Sequence, residues 1–454
     1  MIGLRKKIVL FITTISYGVA FTQESIGVVL DNYQPLQGLK LNPSAIVDQK
    51  PWLSVQIIGA HTYGRNNAAF LNQSTYINRA EEVSFNENRN KYSGYSDVEI
   101  DGLGASISLG NYAIAIHSGA RVIANAKGIP GELANVINDE TNTPADGTYN
   151  SNFARAKGMA WGQVGVTVGK VLFNKGEHYI TGGLTVNRLF GFGNANLIIN
   201  NANVNIANGN ATLNNLDGKY SYANFSLNAG RGWGTSFGLT YKKMKDEVSY
   251  YTPHSTLYNC GTVNYKYKIG VSLIDVGYIN FKNEAQAANF NEEMTTEELE
   301  AIYEEGSDAT LNPSRTFNTS LPTAISGQFD YNVNDYIYLN ASVIQKITVP
   351  SFYGAERDNL LALSARYESK WFGVGLPITL QNYKHPQIGL ALRMGPLSVG
   401  TDHILPLFVP TDIYAADVYA VLRFNIMKSP GCRKPKPKKQ KTTRYKKVYC
   451  PAWK

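Results

Sequence analysis

The stretch Ala105-Ser-Ile-Ser-Leu-Gly-Asn-Tyr-Ala-Ile-Ala-Ile-His117 decides the fold. Ala105, Ile107 and Leu109 fall on one side of an extended chain, and Ser106 and Ser108 on the other. After the Gly110-Asn111 turn, Tyr112, Ile114 and Ile116 face one way and Ala113, Ala115 and His117 the other. A period of two marks a β-strand with one apolar face and one polar or small face. The pattern recurs down the chain. Ile325, Phe329 and Tyr331 stand opposite Ser326, Gln328, Asp330 and Asn332, and near the end Val418, Leu422, Phe424 and Ile426 oppose Tyr419, Arg423 and Asn425.

Candidate strands fall at 52–62, 97–109, 111–124, 157–172, 177–190, 219–230, 232–245, 262–281, 321–333, 336–348, 359–368, 371–380, 386–394, 397–404 and 415–427. Tight links at Gly110-Asn111, 174–176, 230–232, 332–335, 369–370 and 395–396 contrast with long ones near 63–96, 125–156, 191–218, 246–261 and 282–320. Transmembrane barrels sort their connections in this way, with short periplasmic turns and longer extracellular loops; a soluble sandwich has no reason to. No later run of about 18 or more apolar residues follows the N-terminus, so no helix is expected to cross a bilayer, which leaves the closed barrel as the membrane option. The expected fold is all-β: an antiparallel transmembrane β-barrel of 14–16 strands over residues 51–427. Within the long links, Pro130–Asp139 and the capping-box sequence from Thr295 read as short helices, and the Asn-rich stretch 194–215 reads as a hairpin outside the membrane.

Both ends are set apart. Arg5, Lys6 and Lys7 precede the apolar run Ile8–Phe21, the pattern of a secretory signal peptide over 1–22. At the other end residues 428–454 hold eleven Lys or Arg and no acidic residue. The whole chain has 43 Lys and Arg against 35 Asp and Glu. Setting aside those eleven and the three leader cations leaves 29 basic residues against the same 35 acidic ones, so a mildly acidic body carries a basic tail. Export makes nucleic acid a poor partner. The Lys-Pro-Lys-Pro-Lys core favours an extended chain, and polyanionic partners fit: lipid headgroups, cell-wall polymer, or a periplasmic or membrane-associated protein. The binding positions would be Arg433, Lys434, Lys436, Lys438, Lys439, Lys441, Arg444, Lys446 and Lys447. Cys432 and Cys450 bracket this tail, and a disulfide between them would limit its disorder.

Residues 26–52, with the element Leu41-Asn-Pro-Ser-Ala-Ile46, resemble the start of a Bacteroidota outer-membrane barrel. Tyr267–Tyr278 and Leu397–Asp402 carry the same likeness. The chain is similar, over roughly 25–427, to an uncharacterised family of such barrels distantly related to the FadL/PorV-type proteins. The resemblance implies an outer-membrane barrel of about fourteen strands and no catalytic residues. Some relatives end in an OmpA-like wall-binding domain; this chain has its basic tail there instead.

Nucleotide-loop, zincin and CxxC motifs are missing from the sequence, and six scattered histidines suggest no metal site. The chain reads as a non-enzyme without cofactor. The polar strand faces carry Arg121, Lys242, Asp330, Lys346, Arg366, Arg393 and Arg423. One reading is a charged pore lining; the other, favoured by the small residues Ala113, Ala115 and Gly119, is a lumen filled by the plug-like segment 23–50 and held by paired charges. The first functional expectation is a scaffold or accessory subunit of an envelope complex, docking a partner through its tail. The alternative is a FadL-like passive channel for small or hydrophobic solutes.

Overall fold

The structure, a computed structural model, describes residues 25–75, 77–78, 83–86, 89–131, 146–207, 210–255, 260–295, 313–348, 353–354 and 356–432. Its alternating segments close into a fourteen-stranded antiparallel barrel. In chain order the wall is β1 (Leu53–Asn66), β2 (Lys91–Leu109), β3 (Tyr112–Pro130), β4 (Gly147–Lys175), β5 (His178–Ala207), β6 (Gly230–Met244) and β7 (Tyr265–Phe281). It continues with β8 (Ala324–Asn332, preceded by the short Phe317–Ser320), β9 (Ile337–Lys346), β10 (Leu360–Glu368) and β11 (Phe372–Gln381). The last three are β12 (His385–Ile388 and Leu390–Met394), β13 (Leu397–Thr401) and β14 (Ala415–Ile426). Each pairs with its sequence neighbour, and β1 pairs with β14 from Leu53↔Ile426 to Arg65↔Ala415, which closes the wall.

The alternation sorts inside from outside as expected. In β3 Tyr112, Ile114 and Ile116 are exposed, whereas Ala113 and Ala115 are buried. In β14 Val418 and Phe424 point outward, whereas Asp417, Tyr419, Val421 and Arg423 point in. Val164, Val166 and Val168 of β4 and Leu184 and Val186 of β5 extend the outer apolar band. Tyr241, Tyr267 and Phe329, and separately Tyr336, Tyr367 and Phe372, form chains of neighbouring rings with centroids 6.1–6.5 Å apart. They lie at the end of the wall where the short turns cluster, the place of an interfacial aromatic girdle. No helix among the described residues is long and apolar enough to cross a membrane.

The turns at Gly110, Gly176, 333–336, 369–371 and Gly395 share one end with the start of β1 and the finish of β14. Gly110 takes φ +74°, the left-handed backbone its tight hairpin requires. The long link 245–264 also lies at this turn end, because β6 runs toward it and β7 away from it. The sequence had grouped that link with the loops of the opposite end. The other long links are at the loop end.

The 219–230 candidate does not join the wall. Asn210–Ala223 pairs with the outer half of β5 (Asn194↔Ala223 to Ala207↔Asn210) and with Ala285–Thr295, a strand lying in what reads in the sequence as a loop. These strands and the outer half of β4 build a sheet rising from the loop end, with the Asn-rich stretch as a hairpin in it. About 9–11 residues suffice for a strand to cross a bilayer, and β4 has 29 residues and β5 has 30. β3 ends at Pro130, and Gly131 after it is helical. Residues 132–139 and the capping-box segment after Thr295 lie outside the described residues, as does the leader over 1–22.

Val166 stands in the middle of the outer band. Val166→Arg should cost about 2–4 kcal/mol, the range for a cation placed at the bilayer midplane on a barrel's lipid face. Equilibrium urea unfolding in lipid vesicles measures it, and an unchanged midpoint would place this face against water.

Candidate functional site

The lower half of the lumen, toward the turn end, is occupied by residues 25–50 of the chain itself. Three short turns shape this segment: α1 (Ile26–Val29), α2 (Pro35–Gly38) and a 3₁₀ turn over Pro43–Ile46. Asn42 caps the last of these by accepting the Ser44 N–H at 3.0 Å. The segment approaches the wall closely at Gly183, where an added Cβ would meet the Pro43 carbonyl carbon at 2.4 Å. Apolar contacts run on two sides. Ile26, Val29, Leu30 and Leu41 pack on Ile274, Ala324, Ile344 and Leu360. Leu36, Leu39, Ile46 and Val47 pack on Ala113, Ala115, Val171 and Tyr179.

Charges pair across the same interface. Arg393 Nε donates to Asp31 at 2.6 Å, Lys242 Nζ to Asp48 at 3.0 Å, and Lys40 Nζ to Asp101 at 2.9 Å. Asn32 donates to Glu368 at 2.9 Å and accepts from Lys268 at 3.1 Å. Behind it Asp330, fully buried, holds Arg366 at 2.9 Å and Lys268 at 3.1 Å. Ionised groups can stand so deep because each has a partner. Arg423 differs: it is 1% exposed, and its three guanidinium nitrogens have no hydrogen-bond partner among the described residues.

Ser25 Oγ lies 2.5 Å from His61 Nδ1, and His61 Nε2 lies 2.9 Å from Asp101. Serine, histidine and aspartate in line invite comparison with a hydrolase relay. Here Asp101 also accepts from Lys40 and Gln37, and the Ile26 N–H beside Ser25 is bound by Asp402 at 3.0 Å. The row is buried and acts as a tether for the start of the segment. Sequence reading missed it because Ser25, His61 and Asp101 are far apart along the chain.

The upper half of the lumen has another character. Tyr63, Tyr95, Met159, Trp161, Leu189, Phe281 and Phe317 converge there as one apolar cluster. The link between β9 and β10 dips into it: Tyr353 packs against Phe317, with ring centroids 5.5 Å apart. Glu356 follows, between Lys157 at 2.6 Å and Lys346 at 2.9 Å, and Arg357 reaches Asp275 at 2.6 Å. Arg121 joins Asp97 and Asp275 nearby.

The seven inward charges read from the sequence therefore divide by level. Arg121 and Lys346 belong to the upper mouth, while Lys242, Asp330, Arg366, Arg393 and Arg423 surround the segment. The partners Asp31 and Asp48 lie in the 26–52 block, and Glu356 lies in a link that carries no periodic signal. No cluster of three or more metal-ligating side chains occurs among the described residues.

The cysteines require a correction. Cys432 pairs with Cys260, 172 positions away, and not with Cys450. The 245–264 link comes to the turn end, where β14 finishes, and this brings the two Cα atoms to 5.5 Å. Residues 433–454, with Cys450 and all nine basic tail positions, lie outside the described residues.

A closed antiparallel barrel with a lipid-type exterior and an occupied lumen defines the class as a transmembrane β-barrel protein. The chain belongs to DUF5723, a family of unknown function whose pattern matches residues 43–402. No curated protein matches the chain. Among solved structures, a FadL homologue of Pseudomonas aeruginosa is similar at 9% identity and TM-score 0.41, over 89% of this chain and 97% of that one. The toluene transporter TbuX of Ralstonia pickettii is similar at 8% identity and TM-score 0.40, over 87% and 94%. These likenesses carry no functional argument.

Burial pushes the Glu356 carboxyl up, but hydrogen bonds and charge from Lys157 and Lys346 outweigh it and hold the group at about 2, below its ordinary 4.5. A lowered carboxylate stabilises the folded form above its ordinary value and loses that contribution as the pH falls through the folded one. Protection of Glu356 and Arg357 from hydrogen exchange should be flat from pH 7 to about 5 and fall from about 4.5 toward 2. Glu356→Gln should remove that acid dependence; an identical profile in the variant would show that the two lysines do not hold this link.

Proposed function

We propose that the chain is a non-enzymatic outer-membrane barrel that passes small apolar solutes, with its turn end toward the periplasm and residues 25–50 serving as its plug. The observation that carries this reading is the apolar cluster of the upper lumen. A water-filled pore is lined with polar groups, whereas Tyr95, Met159, Trp161, Phe281 and Phe317 pack as a greasy cluster between the Glu356 link above and the segment below. Binding sites for apolar ligands are commonly lined this way, with a few polar groups at the edge. Uptake of naphthalene into reconstituted vesicles tests it. The intact barrel should exceed empty vesicles, and deletion of 26–48 should raise the rate further. Equal rates for both proteins and for empty vesicles would overturn the channel reading.

A second reading makes the barrel a scaffold whose basic tail docks a periplasmic or membrane-associated partner. The Cys260–Cys432 bond favours it, because it anchors the root of the tail beside the turn-end mouth. Removing 433–454 should then abolish co-purification of envelope partners from native membranes while leaving the barrel inserted. Recovery of the same set of proteins with and without the tail would exclude docking.

A further inference from the structure

Residues 245–255 form a cap on the turn-end mouth of the barrel. Val248 and Tyr251 are fully buried there, although they belong to a link between strands. The Val248 N–H donates to the Gly176 carbonyl at 2.7 Å, and Asn174 donates to the Tyr251 carbonyl at 3.1 Å, so the cap grips the β4–β5 turn. It also grips the end of the lumen segment. The Tyr251 hydroxyl donates to Asp48 at 2.6 Å, sharing that carboxylate with Lys242, and His254 Nε2 lies 3.0 Å from the Gln49 carbonyl oxygen.

One covalent bond secures the arrangement. Cys260 lies just beyond the cap, and the His254 N–H donates to the Gly261 carbonyl at 3.2 Å. Cys432 follows the last barrel strand, and the Ser429 hydroxyl and the Cys432 sulfur both approach the His254 carbonyl oxygen at 3.3 Å. The disulfide thus fastens the cap to Cys432, just past the end of β14. Both cysteines are half-exposed, within reach of an attacking thiolate.

We propose that Cys260–Cys432 is a redox-modification site that latches this cap, opened by a dithiol reductant acting from the turn-end side. A thiolate of the dithiol attacks one sulfur, and the other cysteine leaves as a thiolate and takes up a proton. The second thiol of the reductant then resolves the mixed disulfide. Two electrons pass to the bridge, leaving Cys260 and Cys432 as thiols and the reductant as a disulfide. The cap is then held only by its hydrogen bonds and the packing of Val248 and Tyr251, and its opening withdraws Tyr251 from Asp48 at the end of the lumen segment. Control of solute passage by the latch rests on the channel reading above; the latch itself does not.

Hydrogen exchange of residues 246–255 in the full-length folded barrel, before and after dithiothreitol, tests the latch without any variant. Exchange should rise at least about tenfold on reduction, as a locally opening segment does. Cys432→Ser should match the reduced wild type and show no further response to dithiothreitol. Equal exchange in oxidised and reduced protein would overturn the proposal and leave the bond a static staple. Naphthalene uptake separates the two ideas: a cap that loosens on reduction while uptake stays at the empty-vesicle level keeps the latch and discards the channel.

Discussion

Pairing of β1 with β14 is the constraint on which the other features depend. In hydrocarbon no water satisfies a free strand edge, so the twelve-residue register from Leu53↔Ile426 to Arg65↔Ala415 removes the only edges the wall would have. Closure also fixes what must happen inside. Fourteen strands enclose more space than the wall's own inward side chains fill, since barrels of about eight strands are the ones those side chains can pack alone. The remaining volume is taken by water or by protein. Here much of it is taken by protein: the segment 25–50, the cap 245–255 and Tyr353.

That filling explains the placement of the buried charges. Asp330 with Arg366 and Lys268 would be costly in an apolar core, and so would Lys242 or Arg393 alone. Each cation instead meets a carboxylate, and for Lys242 and Arg393 the carboxylates, Asp48 and Asp31, belong to the segment. The pairing therefore makes the segment part of the wall's electrostatic balance as well as its packing. It specifies one register for a stretch whose helical turns are each only four residues long and have little stability of their own.

Much of the wall was legible because alternation is a local property. Tyr112, Ile114 and Ile116 outside and Ala113 and Ala115 inside can be read from consecutive letters. What failed was what depends on distance. The 219–230 candidate has strand composition, yet whether such a strand joins the wall or the raised sheet depends on Asn194↔Ala223 pairing with β5, which no local pattern encodes. The Cys260 partner was missed for a related reason: proximity in sequence favoured Cys450, whereas the direction of β6 decides which end of the barrel the link visits. The inward charges were visible as polar-face residues, but their carboxylate partners on the segment and in the Glu356 link carry no periodicity.

The two halves of the lumen differ in what they tolerate once disturbed. Around the segment, withdrawal would leave Lys242, Arg393 and Asp101 facing water, which solvates such groups well; the loss would fall on the apolar contacts of Ile26, Leu30 and Leu41. In the upper cluster the order reverses. Water admitted among Tyr95, Met159, Trp161 and Phe281 finds few partners and gains little, whereas an apolar molecule keeps that surface covered. A lumen that is displaceable and hydratable below, and dry and greasy above, resists continuous wetting from end to end. This asymmetry, more than the presence of inward charges, separates the barrel from a simple aqueous pore.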